Sequence, residues 1–151
     1  MIVGLTSTDD QEGFRMLTSS AADIHDLTRT MPERVHLELG ALTSAVPTAR
    51  TWARVILSGW DLARLADDGG LILSELVTNG VRHASGRAVR IWLMTDREHL
   101  VIMVGDPSPD MPVRRDADEL SGRGLVIVSA LAAQWGAYRV PSGKIVWAML
   151  Q

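Results

Sequence analysis

The stretch ELVTNGVRHA, residues 75–84, places a carboxylate and an amide one helical turn apart. Residues four apart are neighbours on a helix surface, so Glu75 and Asn79 would share one face. An amide oxygen can bind a hard cation that phosphates already hold, and a carboxylate can deprotonate a hydroxyl or water. Asparagine is also a poor residue for a helix interior, which favours a use for it. A solvated helix face is the alternative interpretation.

The stretch VGDPSPDMP, residues 104–112, ends an apolar segment at Asp106 and turns through two prolines. An aspartate at the end of a strand can accept a hydrogen bond from the exocyclic amine of a buried base. Asp-Pro is also common in turns, because aspartate hydrogen-bonds its own backbone two residues on. This stretch alone leaves both interpretations open.

The stretch SGRGLVIVSALAAQWG, residues 121–136, opens an apolar helix with Gly122, Arg123 and Gly124. Glycines let the backbone approach a ligand closely, and the free N–H groups at a helix start attract phosphate. Arg123 could add a charge-assisted contact. The sequence contains no GxxxxGK[ST], which excludes a P-loop, and the dinucleotide-binding GxGxxG is also missing.

Hydrophobic periodicity predicts the elements that must position these residues. A short helix is expected over residues 21–30, a strand over 35–39 and a helix over 44–60. The helix with the first motif would be capped by Asp67 or Asp68 and would stop near Gly86. Two strands joined at residues 95–98 form a hairpin, a helix spans 124–134, and two strands flank a turn at 141–143.

This order predicts an α+β two-layer sandwich, with a mixed, mostly antiparallel sheet that helices cover on one face. On the helix with the first motif, an apolar stripe would pack on the sheet, opposite the polar residues; it comprises Leu73, Leu76, Val77, Gly80 and Ala84. Residues 1–34 are expected to be an extension of unknown role, and residues 35–151 to form the domain.

Composition sets outer bounds on function. The chain has 151 residues, 46% of them hydrophobic, which suits one domain with a real core. A formal net charge of -3 gives no overall attraction to nucleic acid or to anionic membranes. Cysteine is absent, the first residues lack the pattern of a signal peptide, and no apolar run is long enough to cross a bilayer. A cytoplasmic protein is therefore expected.

The three stretches together, in this order, resemble the motifs of the Bergerat-fold ATPases, the superfamily of gyrase, Hsp90, histidine kinases and MutL. ELVTNGVRHA is similar to the N box, VGDPSPDMP to the G1 box and GRGLVIVSALAAQWG to the G2 box. GKIVWAML is similar to the last strand, so the resemblance covers about residues 35–150. Within the superfamily the chain most resembles anti-sigma-factor serine kinases and their stand-alone ATP-binding relatives.

The resemblance implies ATP and Mg²⁺ as cofactors and a role for each motif residue. Asn79 would ligate magnesium, Glu75 would be the general base for a protein serine, and Asp106 would accept from the adenine amine. Residues 113–120 would belong to the ATP lid. His83 would line the pocket, although a histidine at a helix end is the plainer interpretation. The remaining nucleotide-binding positions would be Ser108, Gly122, Arg123, Gly124 and Leu125.

The resemblance also implies a function and partners. The expected protein is an anti-sigma factor with serine/threonine kinase activity towards an anti-sigma-factor antagonist, and its partners would be that antagonist and a sigma factor. A homodimer is also expected, with apolar surface from KIVWAML, Trp52 and Trp60.

Departures from the family pattern keep alternatives open. Lys144 and Ile145 stand where relatives often carry threonine, and Leu120 stands where the best-known kinases carry a lid arginine. Arg123, Arg114 or Arg115 could replace that arginine. A non-catalytic, nucleotide-dependent binding module of the same fold is the main alternative, and a fold that binds no nucleotide is a third.

Overall fold

The computed structural model describes residues 21–112 and 123–151. Its elements follow the expected order, with a helix before the first strand. They are α1 (Ala21–Arg29), β1 (Glu33–Leu39), α2 (Ala45–Gly59), a 3₁₀ turn (Ala63–Leu65), α3 (Ala66–His83), β2 (Val89–Thr95), β3 (Leu100–Asp106), α4 (Arg123–Leu131), β4 (Gln134–Val140) and β5 (Gly143–Leu150).

The five strands form one sheet in the order β1-β2-β3-β5-β4, and all four pairings are antiparallel. The last strand therefore lies inside the sheet, between β3 and β4. Its register sets Lys144 opposite Asp106 and Ile145 opposite Gly105. The predicted fold class, an α+β sandwich with a largely antiparallel sheet, is confirmed.

Helices α2, α3 and α4 cover one face of the sheet, where the main core lies. The predicted stripe of α3 is buried, whereas Glu75 and Asn79 are half-buried and Arg82 is exposed. Gly80 lies so close to the sheet that a Cβ there would be 3.2 Å from Val89 Cγ1 and 3.3 Å from Val104 Cγ1. This close approach holds the polar side of α3 beside the end of β3.

Helix α1 covers part of the opposite face. Ile24 and Met31 join a second apolar cluster there with Tyr138 and Trp147. The Arg34 guanidinium donates hydrogen bonds to the carbonyls of Thr28 and Met31, at 2.9 and 3.0 Å. The described part of the expected extension thus packs on the sheet. The prediction of helices on one face did not include this helix on the second face.

Two predicted helix ends are wrong. The N-cap of α3 is Leu65, which makes no side-chain cap bond; Asp67 and Asp68 lie in the first turn, where their charge favours the helix dipole. Helix α4 ends at Leu131 instead of Gln134, because the Ala133 N–H already donates to the Met149 carbonyl and the chain enters the sheet.

The prediction that the last strand exposes apolar surface is also wrong. Trp147 is only 2% exposed, because β5 is an interior strand. Trp52 and Trp60 are half-buried and pack against the core. Among the described residues, the large apolar side chains that are exposed are Leu42, Val55, Leu71 and Val126. No helix in residues 21–112 or 123–151 has the length and apolarity needed to cross a membrane.

Candidate functional site

A cavity of about 620 Å³ lies between α3, the chain after β3, the start of α4 and the β4–β5 turn. Both polar and apolar side chains form its wall. The apolar part includes Leu76, Met111, Leu125 and Val146, and the polar part consists of Asn79, Arg82, His83, Asp106, Asp110, Arg139 and Lys144.

Four of the nine predicted site residues meet here. Asn79, His83, Asp106 and Leu125 line the cavity directly. His83 is at once the last residue of α3 and part of the wall, so its two interpretations are compatible. The sequence separates these residues by up to 46 positions, and only the pairing of α3 with the sheet and with α4 brings them together.

The other predicted site residues that the structure describes, Glu75, Ser108, Arg123 and Gly124, do not line the cavity. The Ser108 N–H donates to Asp106 Oδ1 at 2.8 Å, so Ser108 supports that carboxylate. Arg123 is the first residue of α4 and is exposed. Gly122 and the expected lid, residues 113–120, lie outside the described residues.

Gly124 brings the start of α4 against the polar side of α3. A Cβ at this position would lie 2.6 Å from Glu75 Oε2 and 3.6 Å from Asn79 Nδ2. A glycine here therefore lets the α4 backbone rest on the two side chains of the first motif. We call Glu75, Asn79 and Gly124 the helix end of the cavity, and of the three it is Asn79 that lines it.

The opposite side holds a buried ion pair that the sequence analysis missed. Lys144 Nζ lies 3.0 Å from Asp106 Oδ1, and the two side chains are only 4% and 2% exposed. In the sequence analysis, Lys144 is treated only as a residue at a position where relatives often carry threonine. A signal was present, since Lys144 is the sole lysine of the chain and opens an otherwise apolar strand.

Gly143 determines how closely this pair can form. Its φ is +142°, a conformation that side chains rarely adopt, and a Cβ there would lie 2.6 Å from Pro107 Cα. Only glycine lets β5 begin directly against the residues that follow Asp106. We call Asp106, Gly143 and Lys144 the sheet end of the cavity.

The charges of the wall favour an anionic ligand. Among the described residues of the wall, Arg82, Arg139 and Lys144 are cationic, whereas Asp106 and Asp110 are the two carboxylates. A cavity lined by an excess of one charge attracts ligands of the opposite charge. Phosphate groups would satisfy this excess.

A magnesium ion fits this donor set only if it arrives with phosphates. Within residues 21–112 and 123–151 no three acidic or histidine side chains cluster so as to hold a metal ion. Asn79 offers one neutral oxygen, and Mg²⁺ in nucleotide sites takes few protein ligands beside phosphate oxygens and water. The single amide is compatible with such a site.

Comparisons with known proteins bear on the family and the fold. Residues 39–150 match the family model described as the histidine kinase-like ATPase domain. A search of curated proteins found no match. The crystal structure of the RsbU and RsbW domains of Rv1364c from Mycobacterium tuberculosis is similar, with a TM-score of 0.57 and 19% sequence identity. That similarity covers 79% of this chain and 32% of the other, so this chain spans about a third of its length.

At this identity the structural likeness concerns the fold alone, whereas the family model covers most of the chain. The protein belongs to the histidine kinase-like ATPase domain family.

Proposed function

We propose that the protein binds ATP with magnesium in this cavity and acts as an anti-sigma-type serine/threonine kinase on an anti-sigma-factor antagonist. One observation carries the proposal: Asn79 of α3 and Asp106 at the end of β3 line a single cavity, and the Glu75 carboxylate lies beside Asn79 against Gly124 at the start of α4. Each of these groups suits a different part of a nucleoside triphosphate. Family membership supports the same ligand.

The adenine ring of ATP would lie at the sheet end of the cavity, and its phosphates would lie at the helix end. Asp106 Oδ2 accepts no hydrogen bond from the described residues, since both bonds to this carboxylate end on Oδ1. It is therefore suited to accept from the adenine amine. Asn79 would ligate a magnesium ion, which when bound offsets phosphate charge.

Glu75 would serve the transfer step. Its carboxylate lies at the start of α4, beside Asn79 on the same helix. It would take the proton of the incoming serine hydroxyl as the serine oxygen bonds to the γ-phosphorus. The bond from that phosphorus to the bridging oxygen breaks, and ADP leaves with the electron pair.

The partners in this proposal are a sigma factor and an antagonist protein that carries the target serine, in the cytoplasm. The support is the resemblance of the three motifs to anti-sigma-factor kinases and the structural likeness to a protein with an RsbW domain. A homodimer is also proposed, on the resemblance to anti-sigma-factor kinases and not on the apolar surface of the last strand, which is buried. Light scattering at high protein concentration tests it, and a monomeric mass would contradict it.

Calorimetry with ATP and Mg²⁺ tests the binding part. We expect Asn79→Ala to lose the magnesium-dependent part of the affinity, because the metal loses its link to α3. Thr78→Ala is the control, since Thr78 is the neighbouring residue on α3 and does not line the cavity. A folded parent protein that releases no heat at millimolar ATP would refute the proposal.

Transfer of labelled phosphate to an antagonist-type protein from the same genome tests the kinase part. Glu75→Gln should keep ATP binding and lower the transfer rate by ~10²–10⁴-fold, the usual contribution of a positioned base. Glu98→Gln, an exposed carboxylate in the β2–β3 turn, is the control. ATP binding without transfer to any such partner would favour the non-catalytic binding module, and Leu120 at the lid-arginine position would explain it.

A further inference from the structure

Lys144 is buried in the wall of a cavity, which is an unusual place for an ammonium group. The residue is 3% exposed, and charged side chains are almost never fully buried unless they are paired. Its partner is Asp106, which faces it across the β3–β5 ladder. Side chains of directly opposed residues leave the sheet on the same face, so the register itself holds the pair together.

The pairing leaves hydrogen-bonding capacity on both partners. An ammonium has three donors and no acceptor, and among the described residues only Asp106 Oδ1 accepts from it. Asp106 likewise keeps Oδ2. Because both residues line the cavity, the remaining N–H groups and the remaining oxygen can be satisfied there by a ligand.

The sheet end therefore offers a donor beside an acceptor, and the donor cannot change its role. A hydroxyl in this position could donate or accept, whereas an ammonium only donates. A ligand that satisfies both groups needs a hydrogen-bond donor next to an acceptor. The amino-pyrimidine and imidazole edges of adenine have this pattern, because the exocyclic amine has a ring nitrogen on each side, N1 and N7.

We propose that Lys144 is a base-specificity residue, which donates to a ring nitrogen of adenine while Asp106 Oδ2 accepts from the neighbouring amine. This inference rests on the proposed ATP site and adds to it the Lys144 ammonium as a group that recognises adenine. It predicts that the protein tells adenine from analogues that keep the amine but lack one ring acceptor.

Binding of ATP, 1-deaza-ATP and 7-deaza-ATP to the unaltered protein tests this inference. We expect one of the two analogues to bind ~10–100-fold more weakly than ATP, as befits loss of a hydrogen bond to a charged donor. The Lys144→Met variant should bind the three nucleotides equally. If both analogues bind the parent protein as tightly as ATP, the inference is wrong.

A second readout needs no substitution. Lys144 is the sole lysine, so protein with ¹⁵N-labelled lysine side chains gives one ammonium signal in an NMR spectrum. ATP should shift this signal, and the weaker analogue, at saturation, should shift it less. A signal that ATP leaves unmoved would overturn the role of Lys144, whereas absence of ATP binding by calorimetry would overturn the proposed function itself.

Discussion

The two ends of the cavity are built on different principles. The sheet end depends on strand register: Asp106 and Lys144 face each other across a ladder, and Gly143 removes the side chain that would separate them. The helix end depends on helix packing, where Gly124 rests on half-buried Glu75 and Asn79. At the sheet end, groups that would bind ligand also hold the fold. At the helix end, the groups that would bind ligand contribute little to the stability of the fold.

The largest expected effect is on stability, at the sheet end. Asp106→Ala leaves the Lys144 ammonium buried without a partner, and breaking such a pair typically costs about 3–5 kcal/mol. Urea unfolding measures this loss. Glu38→Ala breaks the exposed Arg90–Glu38 pair, which has a 2.8 Å contact, and should cost at most about 1 kcal/mol. Equal losses in the two variants would contradict the structural role of the buried pair at the sheet end.

Gly143→Ala should have the next largest effect. The alanine would be strained at a φ of +142° and its Cβ would press on the backbone after Asp106. Backbone strain alone costs about 1–3 kcal/mol. Gly70→Ala is the matched control, because nothing lies within 4 Å of a Cβ there and alanine suits a helix interior better. Unfolding free energies should move in opposite directions; a stable Gly143→Ala protein would contradict the close approach.

The pKa of Tyr138 reports whether the second face of β4 and β5 excludes water as the sheet end does. Burial raises the pKa of Tyr138 to about 12, from 10.0. The unfolded chain thus loses this proton first, so folding stability should fall between pH 10 and 12, by at most about 1.4 kcal/mol per pH unit. Tyr138 is the sole tyrosine, and its ultraviolet absorbance can be titrated directly. Tyr138→Phe should abolish this part of the pH dependence; ionisation near pH 10 would contradict it.

The smallest effect on stability is expected at the helix end. Gly124→Ala would press on the Glu75 carboxylate, but that group is the far end of a flexible side chain and can move. The unfolding free energy should change by less than about 1 kcal/mol. ATP affinity or phosphotransfer should fall, since the displaced groups are those proposed to serve the phosphates. A large loss of stability with unchanged binding would reverse the comparison.

The sequence predicted the helix end better than the sheet end. Four-residue spacing and an apolar stripe are local features, so the face that carries Glu75 and Asn79 could be derived from the sequence alone. The Asp106–Lys144 pair joins residues 38 positions apart and depends on which strand adjoins β3. Periodicity identifies strands but not their order, and therefore did not reveal the partner of Asp106.

The errors at element ends have the same origin. Gln134 fits a helix by its local pattern, but pairing with Met149 draws it into β4. Trp147 was predicted to be exposed because the sequence of a single strand does not indicate whether other strands will pair with it on both sides. The packing of α1 on the second face likewise depends on tertiary structure, because several strands together supply the apolar side chains that Ile24 and Met31 contact.

The position of β5 has a consequence for how the protein is made. During synthesis β3 and β4 are complete before β5 leaves the ribosome, yet β5 must enter between them. Until then β3 has an open edge, Asp106 is without Lys144, and the cavity lacks the part of its wall that Lys144 and Val146 form. Long-range strand pairing of this kind slows folding and leaves strand edges exposed. A nascent chain halted before residue 143 should therefore be open to chaperones and unable to recognise a base.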